Sequence, residues 1–287
     1  MMPAPQRQPE SRLAISNIAW EPGENDAVRA LLSREGVAGV EIAPTKWRDD
    51  PFDARPSEVA AYRASWEDRG LRVVSLQALL FGQPDLQLFD TVARRADMTD
   101  FLRRVIDFGA ALGAHALVFG SPKNRLRGSL AVERAIDIAT VFFREVGEHA
   151  HDQRLAVCIE ANPPAYGCDF ITTTAEAVNL CRLIDHPGIR VNGDLGGMTL
   201  SGEDPIRSLA AAAPFLSHFH ASEPNLAELG ASADHDTAER GLTAIGYDGW
   251  VSIEMRAAGA SAGGNLQAIE RAVRLARRAY SEAIKTR

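Results

Sequence analysis

The chain has 287 residues, 46% of them hydrophobic and 24% charged, enough to bury a substantial core and within the usual length of one α/β barrel. A formal net charge of -7 excludes the broad basic face that phosphate-backbone binding needs, so nucleic acid is not an expected partner. No run of about 18 apolar residues occurs, the N-terminal MMPAPQRQPESR lacks the apolar centre of a signal peptide, and Cys158, Cys168 and Cys181 form no CxxC pair. These features lead to the expectation of a cytoplasmic chain with reduced thiols and no membrane association.

Residues 1–11 are rich in Pro and Gln and carry no apolar period, so they are expected to form a flexible leader, leaving residues 12–287 as one folded domain. From there, short β-rich apolar runs alternate with longer amphipathic stretches. The expected strands are Leu13 to Ala19, Val37 to Ile42, Leu71 to Ala78, Ala114 to Phe119, Leu155 to Ile159, Ile189 to Asn192, Phe215 to Phe219 and Trp250 to Ile253. Several follow a helix-ending Gly, as in SREGVAGVEI and DRGLRVVSL. Between them, Met98 to Leu112 and Ala131 to His149 place apolar residues three and four apart, as outer helices require, and Asn265 to Ala283 reads as a closing helix. A doubly wound open sheet shares this alternation, but no GxGxxG turn follows the first strand. Eight βα units therefore point to a single-domain (β/α)8 TIM barrel.

In such a barrel the chemistry lies at the C-terminal ends of the strands. Glu160 ends AVCIE, Asp194 follows IRVNG, His220 ends SHFH and Glu254 ends WVSIE. Any one of these could cap or pair locally. Four of them after the last four strands, each beside a run that should be buried, call for a compensating cation. Three carboxylates and one imidazole suit one divalent metal ion, Mn²⁺, Mg²⁺ or Co²⁺, better than a closed structural zinc site. His218 lies two residues before His220; His220 is chosen because it is nearer the strand end, and His218 is expected to turn away from the site as a packed or hydrogen-bonded barrel residue.

With these residues in place, the sequence resembles the xylose isomerase-like barrels, which include ketose 3-epimerases, hydroxypyruvate isomerase and inosose dehydratase. The resemblance covers most of the barrel and is strongest from Glu160 in IEANPP, through Asp194 in NGDLGG and His220 in HFHASE, to Glu254 in GYDGWVSIEM. It implies that these four bind one divalent metal, and that Glu160 and Glu254 form the acid-base pair of a sugar, polyol or keto-sugar isomerase/epimerase. The implied reaction abstracts a proton next to a metal-bound carbonyl and passes through an enediolate. A dehydratase of the same fold, of the inosose or dehydroshikimate type, is the alternative. The chain departs from the family pattern at three positions: Gly197 stands where many members have His, Leu226 where several ketose epimerases have Arg, and Tyr166 where a third family glutamate falls.

Further candidates for substrate binding are Lys46 and Trp47 in VEIAPTKW, Gln77 at the end of the third strand, Lys123 with Arg125 in GSPKNR, Tyr166 in NPPAYGCDF, Glu223 beyond the seventh strand, and His235 in SADHDTAERGL. A Lys and an Arg at a barrel mouth suit a phosphate or carboxylate as well as a solvated loop. Trp20 or Trp47 suits a sugar face as well as core packing, and His235 suits the site as well as the surface. The expected partner is a small carbohydrate or polyol, with a homo-oligomer left open.

Overall fold

The computed structural model describes residues 11–258 and 264–285; the leader proposed for residues 1–11 thus falls almost wholly outside the described residues. In chain order the elements are β1 (Leu13–Ser16), α1 (Asn25–Arg34), β2 (Gly39–Ile42), α2 (Pro56–Glu67), β3 (Arg72–Leu76), α3 (Val92–Leu112), β4 (Ala116–Phe119), α4 (Val132–Asp152) and β5 (Ala156–Glu160). They continue with α5 (Thr174–Ile184), β6 (Ile189–Asp194), α6 (Leu195–Leu200), α7 (Pro205–Ala212), β7 (Leu216–Ser222), α8 (His235–Ala244), β8 (Trp250–Glu254) and α9 (Gly264–Ala279). All neighbouring strands are parallel and β1 pairs with β8, so the sheet closes into an eight-stranded barrel. Among the described residues, no helix is long and apolar enough to cross a membrane.

The alternation of a strand sends successive side chains to opposite faces. Leu13 and Ile15, Val40 and Ile42, Leu117 and Phe119, Val157 and Ile159, and Val251 and Ile253 join the large outer core beneath the helices. Their neighbours face the barrel axis, where Ala116, Ala156 and Cys158 form a separate small cluster. At the floor, the ring of Trp250 lies against Gly39, where a Cβ would come within 2.7 Å of its Cζ3. A large side chain thus closes the barrel opposite a missing one. The helices complete the outer layer with one apolar face each. In α3, Met98, Leu102, Val105, Ile106 and Leu112 are buried at helical spacing, Thr91 caps the N-terminus, and Gly113 ends the helix at φ 83°.

Element ends differ from expectation by a few residues, and two differences bear on the site. A 3-10 turn over Asn17–Ala19 ends the first strand early. The seventh strand runs on to Ser222, so His220 lies inside it rather than at its end. The inter-strand register sets Glu160 beside Asn192, Asp194 beside His220, and Ser222 beside Glu254. Partners in a parallel ladder face the same side, and this is what gathers the polar residues of the last four strands.

Candidate active site

Glu160, Asp194, His220 and Glu254 converge at the C-terminal face. His220 Nδ1 lies 3.3 Å from Glu160 Oε2, 3.3 Å from Glu254 Oε2 and 3.8 Å from Asp194 Oδ2. The imidazole is buried, whereas the three carboxylate side chains are 13, 11 and 10% exposed and open into a cavity of about 330 Å³. Glu160 Oε1 accepts from the amide of Asn162 at 2.7 Å, and Oε2 from Asn192 at 2.8 Å. Asp194 caps α6, with Oδ1 accepting from the Gly197 N–H and Oδ2 from the Ser222 hydroxyl, each at 2.5 Å.

Beneath His220 lies a residue that the sequence does not single out. Glu41 on β2 is fully buried and accepts from the Ser75 hydroxyl at 2.6 Å, His218 Nε2 at 2.9 Å, His220 Nε2 at 3.1 Å and Gln77 Nε2 at 2.9 Å. Both histidines point into the barrel interior, which corrects the expectation for His218. A spacing of two places them on one face, and His218 is removed from the cavity by depth instead. The signal for Glu41 was a lone carboxylate inside the apolar run VEIA, where an unpaired charge would be costly.

The charges of this cluster act on one another. Burial works against a charged His220, yet Glu41, Glu254 and Glu160 outweigh it and hold the imidazole well above its ordinary pKa. Burial likewise opposes ionisation of Glu41, but the two histidines hold it well below the carboxylate range. Burial, then the charges of Glu160 and Glu254, push Asp194 up to about 7. Burial raises Glu254 despite the adjacent His220, whereas the His220 contact and the Asn162 amide outweigh burial and lower Glu160.

These residues fit a divalent cation. His220 Nδ1 is a buried nitrogen with no hydrogen-bond partner, surrounded by oxygens. Ligand atoms that share a cation at roughly 2.0–2.6 Å sit about 3–4 Å from one another, and the spacings around Nδ1 fall in that range. Glu160, Asp194 and His220 offer ligand atoms all within 4.8 Å of one another. Glu41, His218 and His220 also lie that close, but hydrogen bonds already engage their facing atoms.

The remaining candidates divide. Gln77 and Tyr166 line the cavity, and the Tyr166 hydroxyl accepts from the Asn225 N–H at 2.9 Å. Five others lie elsewhere. Lys46 pairs with Glu21 at 2.9 Å, and Trp47 stacks on Tyr62 and Phe108 between α2 and α3. Lys123 lines a neighbouring hollow with Phe81 and Gln83. Glu223 is buried where the N–H groups of Gly230, Ala231, Ser232 and Ala233 converge on it, and His235 bridges Glu223 to the Tyr280 hydroxyl. These last two tie down a loop and face away from the cavity. Arg125 is a buried clamp, donating to the carbonyls of Phe119 and Glu160, and Trp20 is a core residue. Of the departures from the family pattern, Gly197 packs where a Cβ would lie 2.8 Å from Asp194 Oδ1. Leu226 lines the cavity, as does Arg256, the one basic residue of its wall among the described residues, whose backbone N–H donates to the Leu226 carbonyl at 2.8 Å.

Comparison with known proteins agrees with this architecture. The chain is 26% identical over 249 residues to a ketose 3-epimerase of Arthrobacter globiformis, covering 85% of this chain and 83% of that protein. A crystal structure of D-psicose 3-epimerase in the presence of D-fructose superposes with a TM-score of 0.78 at 18% identity, covering 93% of this chain and 99% of that one. A structure of the IolI protein with a bound zinc atom superposes with a TM-score of 0.74 at 15% identity, covering 94% and 98%. At such identities the two structures speak for the fold. The family model of the xylose isomerase-like TIM barrel matches residues 29–279, and the chain therefore belongs to that family.

Proposed function

We propose that the protein is a divalent-metal-dependent isomerase or epimerase of a small sugar or polyol, with Glu160, Asp194, His220 and Glu254 as the metal ligands. The observation that carries this reading is the convergence of three carboxylate oxygens, 3.3 to 3.8 Å away, on the unpartnered Nδ1 of His220 at the mouth of the barrel. The ketose 3-epimerase relative supports a sugar as substrate. When bound, a divalent cation supplies positive charge that stabilises the negative charge developing on substrate oxygens.

The chain's own residues supply the proton transfers. Glu160 and Glu254 reach the cavity from β5 and β8, on either side of Asp194 and His220. One takes a proton from the carbon beside the carbonyl and the other returns a proton. Return to the opposite face inverts that carbon, and return to the neighbouring carbon isomerises the sugar. The amides of Asn162 and Asn192 hold Glu160 in one orientation, which suits it to act as the base. Gln77 and Tyr166 are placed to bind substrate hydroxyls. A cavity of about 330 Å³ is at the small end for ligand sites and suits a single sugar.

The test is proton exchange followed by NMR in D₂O with Mn²⁺ and a panel of ketoses and keto-inositols. Solvent deuterium should enter a carbon-bound position without loss of water. Glu254→Gln, assayed at full metal occupancy, should slow that exchange by about 10² to 10⁴-fold, because an amide cannot exchange a proton as a carboxyl group does. Loss of a hydroxyl with formation of an alkene would instead mark a dehydratase. Exchange at the wild-type rate in the metal-loaded variant would remove Glu254 from the acid-base pair.

A further inference from the structure

We propose that Glu41 is a positioning residue that aims His220 Nδ1 at the metal and fixes the amide of Gln77 at the substrate cavity. This rests on the four-residue metal site proposed above. Glu41 lies one layer below that site, level with Ser16 and Ser75 in the strand register. Its side chain is 0% exposed, so its charge gains nothing from water. Its two oxygens accept from four donors: Ser75, His218 and His220 reach Oε2, and Gln77 reaches Oε1. With its acceptor capacity taken up, Glu41 is not itself a metal ligand.

The geometry of the imidazole does the rest. A neutral imidazole bears one hydrogen, and an ionised carboxylate beside Nε2 can only accept it. Glu41 lies within 3.1 Å of His220 Nε2, so when the imidazole gives up one proton to a cation the remaining hydrogen belongs on Nε2 and the lone pair left on Nδ1 faces Glu160, Asp194 and Glu254. An imidazole so anchored cannot rotate away from the ligand position, and the adjacent negative charge strengthens its donation to a cation. The same carboxylate acts on the substrate side. Gln77 Nε2 donates to Glu41 at 2.9 Å and to the Ser16 hydroxyl at 2.5 Å, so both amide hydrogens point inward. The carbonyl oxygen of this cavity-lining residue is then the atom left for a substrate hydroxyl.

A residue that only fills the core would alter stability, whereas one that positions a ligand alters metal affinity and the ligand field. Glu41→Gln keeps size and one acceptor oxygen but removes the charge. Co²⁺ titration followed by visible absorption should give affinity about 10- to 100-fold weaker than wild type, with a shifted ligand-field band. A folded variant that binds Co²⁺ within about twofold of wild type, with an unchanged spectrum, would overturn the proposal. A lowered unfolding midpoint with unaltered affinity would overturn it equally, assigning Glu41 to the core alone. Should the variant fail to fold, ¹⁵N-histidine NMR of the Zn²⁺-loaded wild type decides. The proposal requires His220 with hydrogen on Nε2 and metal on Nδ1, and the reverse assignment rejects it. If the wild type takes up no Co²⁺ or Zn²⁺, the four-residue site itself fails and the role of Glu41 falls with it. Tight wild-type binding that Glu41→Gln leaves intact removes only the role of Glu41.

Discussion

Asp194 caps the helix α6 and, in the function proposed above, is a metal ligand as well. Its two oxygens accept from the Gly197 N–H and the Ser222 hydroxyl, which fixes its orientation, while burial and then the neighbouring charges of Glu160 and Glu254 raise its pKa to about 7. A proton on Asp194 competes with the metal, and its pKa near 7 in the metal-free protein sets the window. Metal affinity should therefore fall as the pH drops through about 7, because a cation must then displace a proton from Asp194, and should still rise with pH above 7 for as long as His220 is protonated. His220, raised well above its ordinary value, adds a second displaced proton. Mn²⁺ affinity measured by calorimetry at pH 6, 7 and 8 in buffers of different ionisation enthalpy would count the protons. An affinity that is flat across this range, with none released, would mean that neither group binds the metal. Asp194 was legible in the sequence because it closes an apolar run. Glu41 was not, because it sits between Val40 and Ile42, where a strand pattern alone marks a position as interior without saying what it touches.

At the level of single elements, the short helix α6 sets Gly197, one of the departures from the family pattern, against Asp194. The chain turns from β6 into α6 at Asp194 itself, so the residue three positions on lies directly over the carboxylate that caps the helix. At Gly197 a Cβ would stand 2.8 Å from Asp194 Oδ1 and 3.6 Å from Pro163 Cδ, closer to the oxygen than a real methyl group approaches. Gly197→Ala should push Asp194 off its present position and weaken metal binding by about tenfold or more, the scale seen when the surroundings of a ligand are disturbed. The barrel should stay folded, and Mn²⁺ titration with circular dichroism in parallel measures both. Undiminished affinity would show that the α6 turn relaxes freely. Elements of this kind mark the limit of sequence reading. The strands were visible as apolar runs, since the outer faces of a barrel must be buried, and α3, α4 and α9 were visible from their periodicity. The 3-10 turn after β1, capped by the Ser16 side chain, and the extension of β7 to Ser222, set by its pairing with β8, were not visible, because contacts made in the fold rather than an apolar pattern set those ends. For the same reason Glu223 and His235 read as candidates for the site. Both are polar and follow a strand, and only the fold shows them knotting a loop to Tyr280.

For the molecule as a whole, the proposed metal site joins one half of the barrel. Its proposed ligands come from β5, β6, β7 and β8, so a cation there would link four consecutive strands at their C-terminal ends, where three carboxylates otherwise repel one another. Ligands gathered in this way exist only in the folded chain, and a cation bound by the native state alone stabilises it by about 2.7 kcal/mol at a concentration 100 times its Kd. For a large domain each kcal/mol is worth about 2–4 °C in the midpoint of thermal unfolding. Saturating Mn²⁺ should therefore raise Tm by about 5–10 °C above the value in EDTA. The shift should grow with the logarithm of metal concentration, as mass action requires, and scanning calorimetry over a metal series would record it. Asp194→Ala separates this effect from non-specific binding to the acidic surface. The variant keeps the other 37 of 38 carboxylate side chains but loses one ligand, so its shift at the same Mn²⁺ concentration should be small. Equal shifts in the two proteins would place the stabilising cation elsewhere on the molecule, and no shift in the wild type would remove the structural case for a cation at the four-strand site.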